Sequence, residues 1–255
     1  MSIPNWHYDT AKDSGLTFID RLKKCPREPD PLVYSARVAA AVWVRAALRI
    51  YNRFEISGRE HLPRDGSFVL VANHASHLDA VALLSALPLR SLHRAYPLAA
   101  RDYFLANELR FALTAVIANV MLFDRDSKGV DGLKLCKRML DERGNVLVMF
   151  PEGTRSVDGR LGMFRRGIGL LLAGAPYPVV PCYLDGTFRA WPKGALIPRP
   201  ARVRLAIGEA RTYERVEGTD AGALDICADL RSAVLALASK PGPQTARPVT
   251  QEAYQ

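Results

Sequence analysis

The four cysteines form no CxxC pair: Cys25, Cys136, Cys182 and Cys227 stand far apart. That spacing argues against a zinc ribbon or a thioredoxin-like redox site. Cys136, Cys182 and Cys227 sit among apolar residues and read as small core residues in a reducing compartment. A serine nucleophile elbow, GxSxG, is missing, which weakens a hydrolase built on a serine triad. The first 30 residues lack the apolar core of a signal peptide. The longest uncharged run, Gly167 to Leu184, is interrupted by Pro176, Pro178 and Pro181. It reads as a helix followed by a strand, and the sequence predicts no transmembrane span. No internal repeat is visible.

What is present is the composition of a globular protein. The 255 residues are 49% hydrophobic and 24% charged, ample for one sizeable core. The net charge of +9 suits nucleic acid, anionic lipid or phosphorylated ligands without choosing among them. Most of the surplus lies in segments 153–166 and 187–216. A solvated face is the ordinary explanation of such clusters. The second cluster is interleaved only with Phe188, Trp191 and Tyr213. No reader motif accompanies them, so no nucleic-acid partner is expected.

From residue 54 onward strands and helices alternate. Segments 68–72, 95–100, 119–123, 146–150, 179–184 and 202–207 read as strands. Segments 76–87, 130–143, 168–173 and 221–238 read as helices. This alternation predicts an α/β fold, a mostly parallel central sheet flanked by helices, with an N-terminal helical segment. Four regions follow: a polar extension at 1–30, a helical segment at 31–53, a domain at 54–239, and a Pro-, Gln- and Thr-rich tail at 240–255 that is expected to be disordered. In the helical segment, Arg37, Arg45 and Arg49 share an arc of about 120°. It reads as an interfacial helix with its arginines toward lipid headgroups, or as a packing helix laid on the core.

Two constellations carry chemistry. The apolar strand FVLVA runs into Asn73-His74-Ala75-Ser76-His77-Leu78-Asp79, and ligands of open α/β sheets bind at the carboxyl ends of strands. On one continuous helix His74 and Asp79 would lie about 140° apart. With His74 on the turn and Asp79 in the first helical turns, the chain can fold back and join them. A carboxylate accepting from one imidazole nitrogen fixes the tautomer and makes the other a general base. The same residues fit a helix cap, with Ser76 as N-cap and Asp79 in the first turn. Without a protein nucleophile, such a dyad points to a base acting on a substrate hydroxyl.

The second constellation is Phe150-Pro151-Glu152-Gly153-Thr154-Arg155-Ser156, after the strand VLVMF. Gly153 lets backbone N–H groups approach a ligand. Thr154 and Ser156 are small donors, and Arg155 can fork onto a phosphate. The plainer reading is a strand–turn–helix connection with exposed arginines. Phe123-Asp124-Arg125 is a weaker third piece.

In this order and spacing the pieces resemble the glycerolipid acyltransferase family typified by 1-acylglycerol-3-phosphate acyltransferase, over roughly residues 54–210. Its NHxxxxD block appears at 73–79 and its FPEGTRS block at 150–156. Its second block, an apolar strand ending in arginine, matches Met121 to Arg125, and its fourth, a strand with a central proline, matches Val179 to Cys182. Asn119 stands where the second block often has glycine, and Cys182 replaces an aliphatic residue. The resemblance implies His74 as general base and Asp79 as its orienting acid. It implies Arg125, Glu152, Gly153, Thr154 and Arg155 around the acceptor's phosphate. His77 occupies a variable position and stays outside the catalytic set.

The implied reaction moves a fatty acyl group from acyl-CoA or acyl-carrier protein, as co-substrate, to a lysolipid hydroxyl. No acyl-enzyme, metal or further cofactor is expected. The implied acceptor is 1-acylglycerol 3-phosphate, giving phosphatidic acid. Glycerol 3-phosphate, another lysophospholipid or a lyso-ornithine lipid are the alternatives. An inactive lipid scaffold is disfavoured by the intact His74 and Asp79. A lipid substrate implies a membrane surface as partner, and the expected location is peripheral, on the cytoplasmic face.

Overall fold

The computed structural model describes residues 17–23, 27, 30–101, 108–123 and 130–239. Seven strands among them form one sheet: β1 (Glu55–Ser57), β2 (Phe68–Ala72), β3 (Ala95–Ala100), β4 (Met121–Phe123), β5 (Val146–Met149), β6 (Val179–Asp185) and β7 (Arg204–Ile207). Their spatial order is β1-β7-β6-β2-β5-β3-β4. From β6 to β4 every pair is parallel, whereas β7 runs antiparallel to β6. The mostly parallel sheet expected from the alternation is therefore present. The reversal of β7 follows from its connection. A parallel neighbour needs a crossover, usually a full helix, and only the four-residue helix Thr187–Ala190 lies between β6 and β7. The strand β1 was not anticipated, because its three half-buried residues are too few to show a period.

β2 is buried along its whole length, as a central parallel strand is. Phe68, Leu70 and Ala72 join a core layer with Leu83 and Phe111, while Val69 and Val71 join the opposite layer with Met139, Leu172, Ile226 and Leu230. The two-residue period of the strand thus feeds two helical layers. The helices are α1 (Phe18–Lys23), α2 (Pro31–Tyr51), α3 (Leu78–Ala86), α4 (Glu108–Ala118), α5 (Val130–Asp141), α6 (Gly167–Leu172), α7 (Thr187–Ala190) and α8 (Asp220–Ala238). α6 and α8 touch backbone to backbone: a Cβ at Gly169 would lie 2.0 Å from the carbonyl oxygen of Ala223.

Part of the N-terminal extension has a place. In α1, Leu22 is buried in the main core, and Arg27 donates to Asn119 Oδ1 at 2.8 Å and to the Val120 carbonyl at 2.6 Å. Residues 1–16, 24–26 and 28–29, and the tail from 240, lie outside the described residues. Asn119 ends α4 in the left-handed region, with φ 54°, and its N–H bonds the Ala115 carbonyl at 3.1 Å. That backbone position favours glycine and tolerates asparagine, so the departure noted at this position is conformationally conservative.

The arginines of α2 do not face outward as a set. Arg37 is 4% exposed and donates to the carbonyls of Val116 and Ala115 at 2.8 and 3.0 Å, in the last turn of α4. Arg45 donates to the Leu87 carbonyl, just past α3. Both add side-chain donors to carbonyls at the C-terminal end of a helix, where positive charge suits the negative end of the helix dipole. Only Arg49 is exposed. The outer face instead carries Leu32, Val42, Trp43 and Ile50, with Trp43 76% exposed. Of the two readings of this helix, Arg37 and Arg45 follow the packing one and do not turn to lipid. Among the described residues α2 is also the one helix long and apolar enough to cross a membrane, by length and composition alone.

Candidate active site

The chain leaves the carboxyl end of β2 at Asn73. Its buried side chain donates to the Leu184 carbonyl at 2.9 Å and accepts from the Leu184 N–H at 2.8 Å, bridging β2 to β6. His74 then stands on the turn, and its Nδ1 lies 2.8 Å from Asp79 Oδ2. The same oxygen accepts the N–H groups of Ala75 and Ser76 at 2.6 and 2.7 Å. Ser76 Oγ accepts the Leu78 N–H at 3.1 Å and donates to the Trp191 carbonyl at 2.7 Å. The cap and the dyad, which stood as alternatives in the sequence, are one arrangement. One carboxylate closes the first turn of α3 and holds the imidazole. Because Asp79 Oδ2, which already accepts two backbone N–H groups, accepts the Nδ1–H bond, Nε2 is the acceptor nitrogen. The imidazole stacks on Phe150, with centroids 4.1 Å apart and planes at 16°.

The second constellation closes on the first. The Ser156 N–H donates to the His74 carbonyl at 2.7 Å, and the His74 N–H donates to Glu152 Oε1 at 2.7 Å. The other Glu152 oxygen accepts the Gly162 N–H at 2.8 Å. The geometry therefore gives Glu152 a different task from the phosphate contact expected of it. A buried carboxylate bonded to two backbone N–H groups clasps the 151–165 loop to the His74 turn, and its charge repels a phosphate. Gly153 has φ 73°, and a Cβ there would lie 2.5 Å from Arg165 Nε, so the loop needs glycine.

Burial raises the Glu152 pKa, only partly offset by the N–H groups of Gly162 and His74. Between the ordinary value of 4.5 and the raised one, the folded state binds more protons than the unfolded state. Stability from this group is therefore lost as pH rises through that interval. In Glu152→Gln the slope disappears. Melting temperatures measured across acid to neutral pH should show the wild type losing ground to the variant as pH rises. Parallel curves would rule this out.

Thr154 is exposed, and Arg155 is half-buried with Nη1 against His77 Nε2. The His77 ring tilts over Trp191, with centroids 5.3 Å apart. Arg125 lies outside the described residues, just beyond the end of β4. Sequence reasoning thus found His74, Asp79 and the loop, but not the roles of Asn73, Phe150, His77 and Trp191. His77 lay within the first motif. Trp191 had no signal, because its link to Ser76 spans 115 residues.

The geometry offers one base with a fixed tautomer beside a basic, glycine-containing loop. That suits removal of a proton from a hydroxyl on a phosphate-bearing molecule. Known proteins similar to this chain carry acyltransferase names. A 1-acyl-sn-glycerol-3-phosphate acyltransferase of Limnanthes alba is 34% identical over 159 residues, which is 59% of this chain and 52% of that protein. A chloroplastic 1-acyl-sn-glycerol-3-phosphate acyltransferase of Arabidopsis thaliana is 31% identical over 198 residues, 76% of this chain and 52% of its own. The chain spans about half the length of these curated relatives. The crystal structure of a 1-acyl-sn-glycerophosphate acyltransferase from Thermotoga maritima shares the fold, with a TM-score of 0.55 and 21% identity over 80% of this chain and 84% of that one. The sequence profile described as Acyltransferase matches residues 53–185, a stretch that holds both constellations and the strands presenting them, and the chain belongs to that family.

Proposed function

We propose that the protein transfers a fatty acyl group from an acyl thioester, acyl-CoA or acyl-carrier protein, to the free hydroxyl of 1-acylglycerol 3-phosphate, forming phosphatidic acid. The observation that carries this reading is the 2.8 Å bond from His74 Nδ1 to Asp79. His74 Nε2 takes the hydroxyl proton as the oxygen attacks the thioester carbonyl. The C–S bond then breaks, and the imidazolium returns the proton to the departing thiolate. Asp79 stabilises the imidazolium in between. The acyl thioester is the co-substrate, and no other cofactor enters the scheme.

Arg155, beside Gly153 and Thr154, faces the acceptor's phosphate, and Arg125 is proposed as a second phosphate contact. The choice of acceptor rests on the names of the relatives. The apolar outer face of α2 supports work at a membrane surface, and the reading proposed here has the protein peripheral and on the cytoplasmic side. A surface contact of this kind suits a lipid acceptor that never leaves the bilayer.

The test is a product assay by mass spectrometry with lysophosphatidic acid and a panel of acyl-CoA and acyl-carrier-protein donors. Phosphatidic acid is the expected product. Its absence with every donor overturns the acceptor, and a lysophospholipid or lyso-ornithine lipid product would replace it. Arg155→Ala should raise the acceptor KM roughly tenfold to a hundredfold, the weight of a lost charge-assisted hydrogen bond. An unchanged KM would remove Arg155 from the phosphate site.

A further inference from the structure

The connection between α7 and β7 carries two large aliphatic side chains in the open: Leu196 is 93% exposed and Ile197 75%. Their exposure is built into the loop. The Ala195 N–H closes a turn onto the Pro192 carbonyl at 3.2 Å, and the Arg199 N–H bonds the Ala190 carbonyl at 2.7 Å. The Trp191 indole N–H bonds the Ala195 carbonyl at 2.8 Å. The Tyr51 hydroxyl, at the end of α2, bonds the Pro198 carbonyl at 3.1 Å. A loop held at both ends presents its apolar tip rather than folding it away.

We propose that this tip, residues 194–198, is a second contact with an anionic lipid surface, continuous with the outer face of α2. The proposal rests on the lipid substrate inferred above. Two observations choose lipid as the occupant. The Tyr51 bond ties the loop to the last turn of α2, where the neighbouring Ile50 is itself exposed. The charge beside them has one sign: no acidic residue occurs between Gly186 and Val203. Lys193 and Arg199 flank the tip, all exposed like Arg53 at the end of α2. None of the three is in an ion pair among the described residues. Aliphatic side chains bordered by lysine and arginine are the pattern of a segment seated at the headgroup boundary of an anionic bilayer.

The placement has a consequence for access. The loop starts at Trp191, whose carbonyl takes the Ser76 hydroxyl bond and whose ring lies 5.3 Å from His77. Seating the tip in the headgroup layer brings the His74 turn to the surface where a lysolipid lies.

The test uses the full chain with Leu196→Ser/Ile197→Ser and, separately, Lys193→Glu/Arg199→Glu. Sedimentation with phosphatidylcholine vesicles, with and without phosphatidylglycerol, reads partition. Turnover of a short-chain lysolipid below its critical micelle concentration reads the site without a membrane. Each variant should lose roughly tenfold in partition to the anionic vesicles, with dispersed-substrate turnover and melting temperature unchanged. Unchanged partition overturns the proposal and leaves the tip to a protein partner. Equal losses of partition and dispersed turnover also overturn it, because the loop then serves the site itself. If the partition difference holds while the wild type acylates no lysolipid, the docking surface stands and the acyl-transfer reading fails.

Discussion

Replacing His74 with alanine should lower kcat for acyl transfer by about 10²–10⁴-fold, the usual contribution of a general base, with the melting temperature nearly unchanged. The separation is possible because the turn is held by backbone. The His74 N–H bonds Glu152, and the His74 carbonyl accepts from Ser156. Alanine keeps both. Asp79 still accepts from Ala75 and Ser76, so α3 keeps its cap. What is removed is the imidazole, its bond to Asp79 and its stacking on Phe150. KM for the acceptor should move little, since the phosphate contacts lie on the 153–155 loop. Single-turnover kinetics with a saturating acyl donor isolates the chemical step. Wild-type rates there would remove His74 as the base, and a large fall in melting temperature would mean that the variant tests folding instead.

The parts of this site that could be read in the sequence are those made of contiguous residues. β2 is five apolar residues bounded by turn signals, and only a strand buried on both faces reads that way. The His74–Asp79 pair was legible because five residues are few enough for a turn and one helical turn to join them. The 150–156 block was legible as a loop after a strand. Its aim was not, because the partner of Glu152 Oε2 is Gly162, ten residues on, and nothing in the glutamate's own neighbourhood distinguishes a clasp from a ligand. α2 shows the same limit. Its arc of arginines is visible from periodicity alone, yet periodicity does not say which side faces protein. Carbonyls at the ends of α3 and α4 decided it, and those ends are 39 to 79 residues away. Segment 108–118 is apolar nearly all round, so it lacked the one-sided stripe that announces a helix. The direction of β7 depended on the brevity of the intervening helix.

Asp79 should separate tautomer from charge. In Asp79→Ala, the N–H groups of Ala75 and Ser76 lose their acceptor in a buried place, costing about 1–3 kcal/mol each. The imidazole becomes free to change tautomer and rotate. A fall in kcat as large as that of His74→Ala, with a lowered melting temperature, is the expected result. Asp79→Asn differs. Three donors converge on Oδ2, so the amide carbonyl must take that position, since an NH₂ there would face all three. The NH₂ then occupies the place of Oδ1, which is buried without a partner among the described residues. The tautomer survives, and only the charge that stabilises the imidazolium is lost. Asparagine should therefore cost about tenfold to a hundredfold in kcat, the difference between a charge-assisted and a neutral hydrogen bond, and less than alanine does. The ranking wild type, asparagine, alanine, read from kcat beside melting temperatures, is the diagnostic. Equal losses in the two variants would mean that the negative charge carries the whole effect, and wild-type activity in asparagine would mean that it carries none.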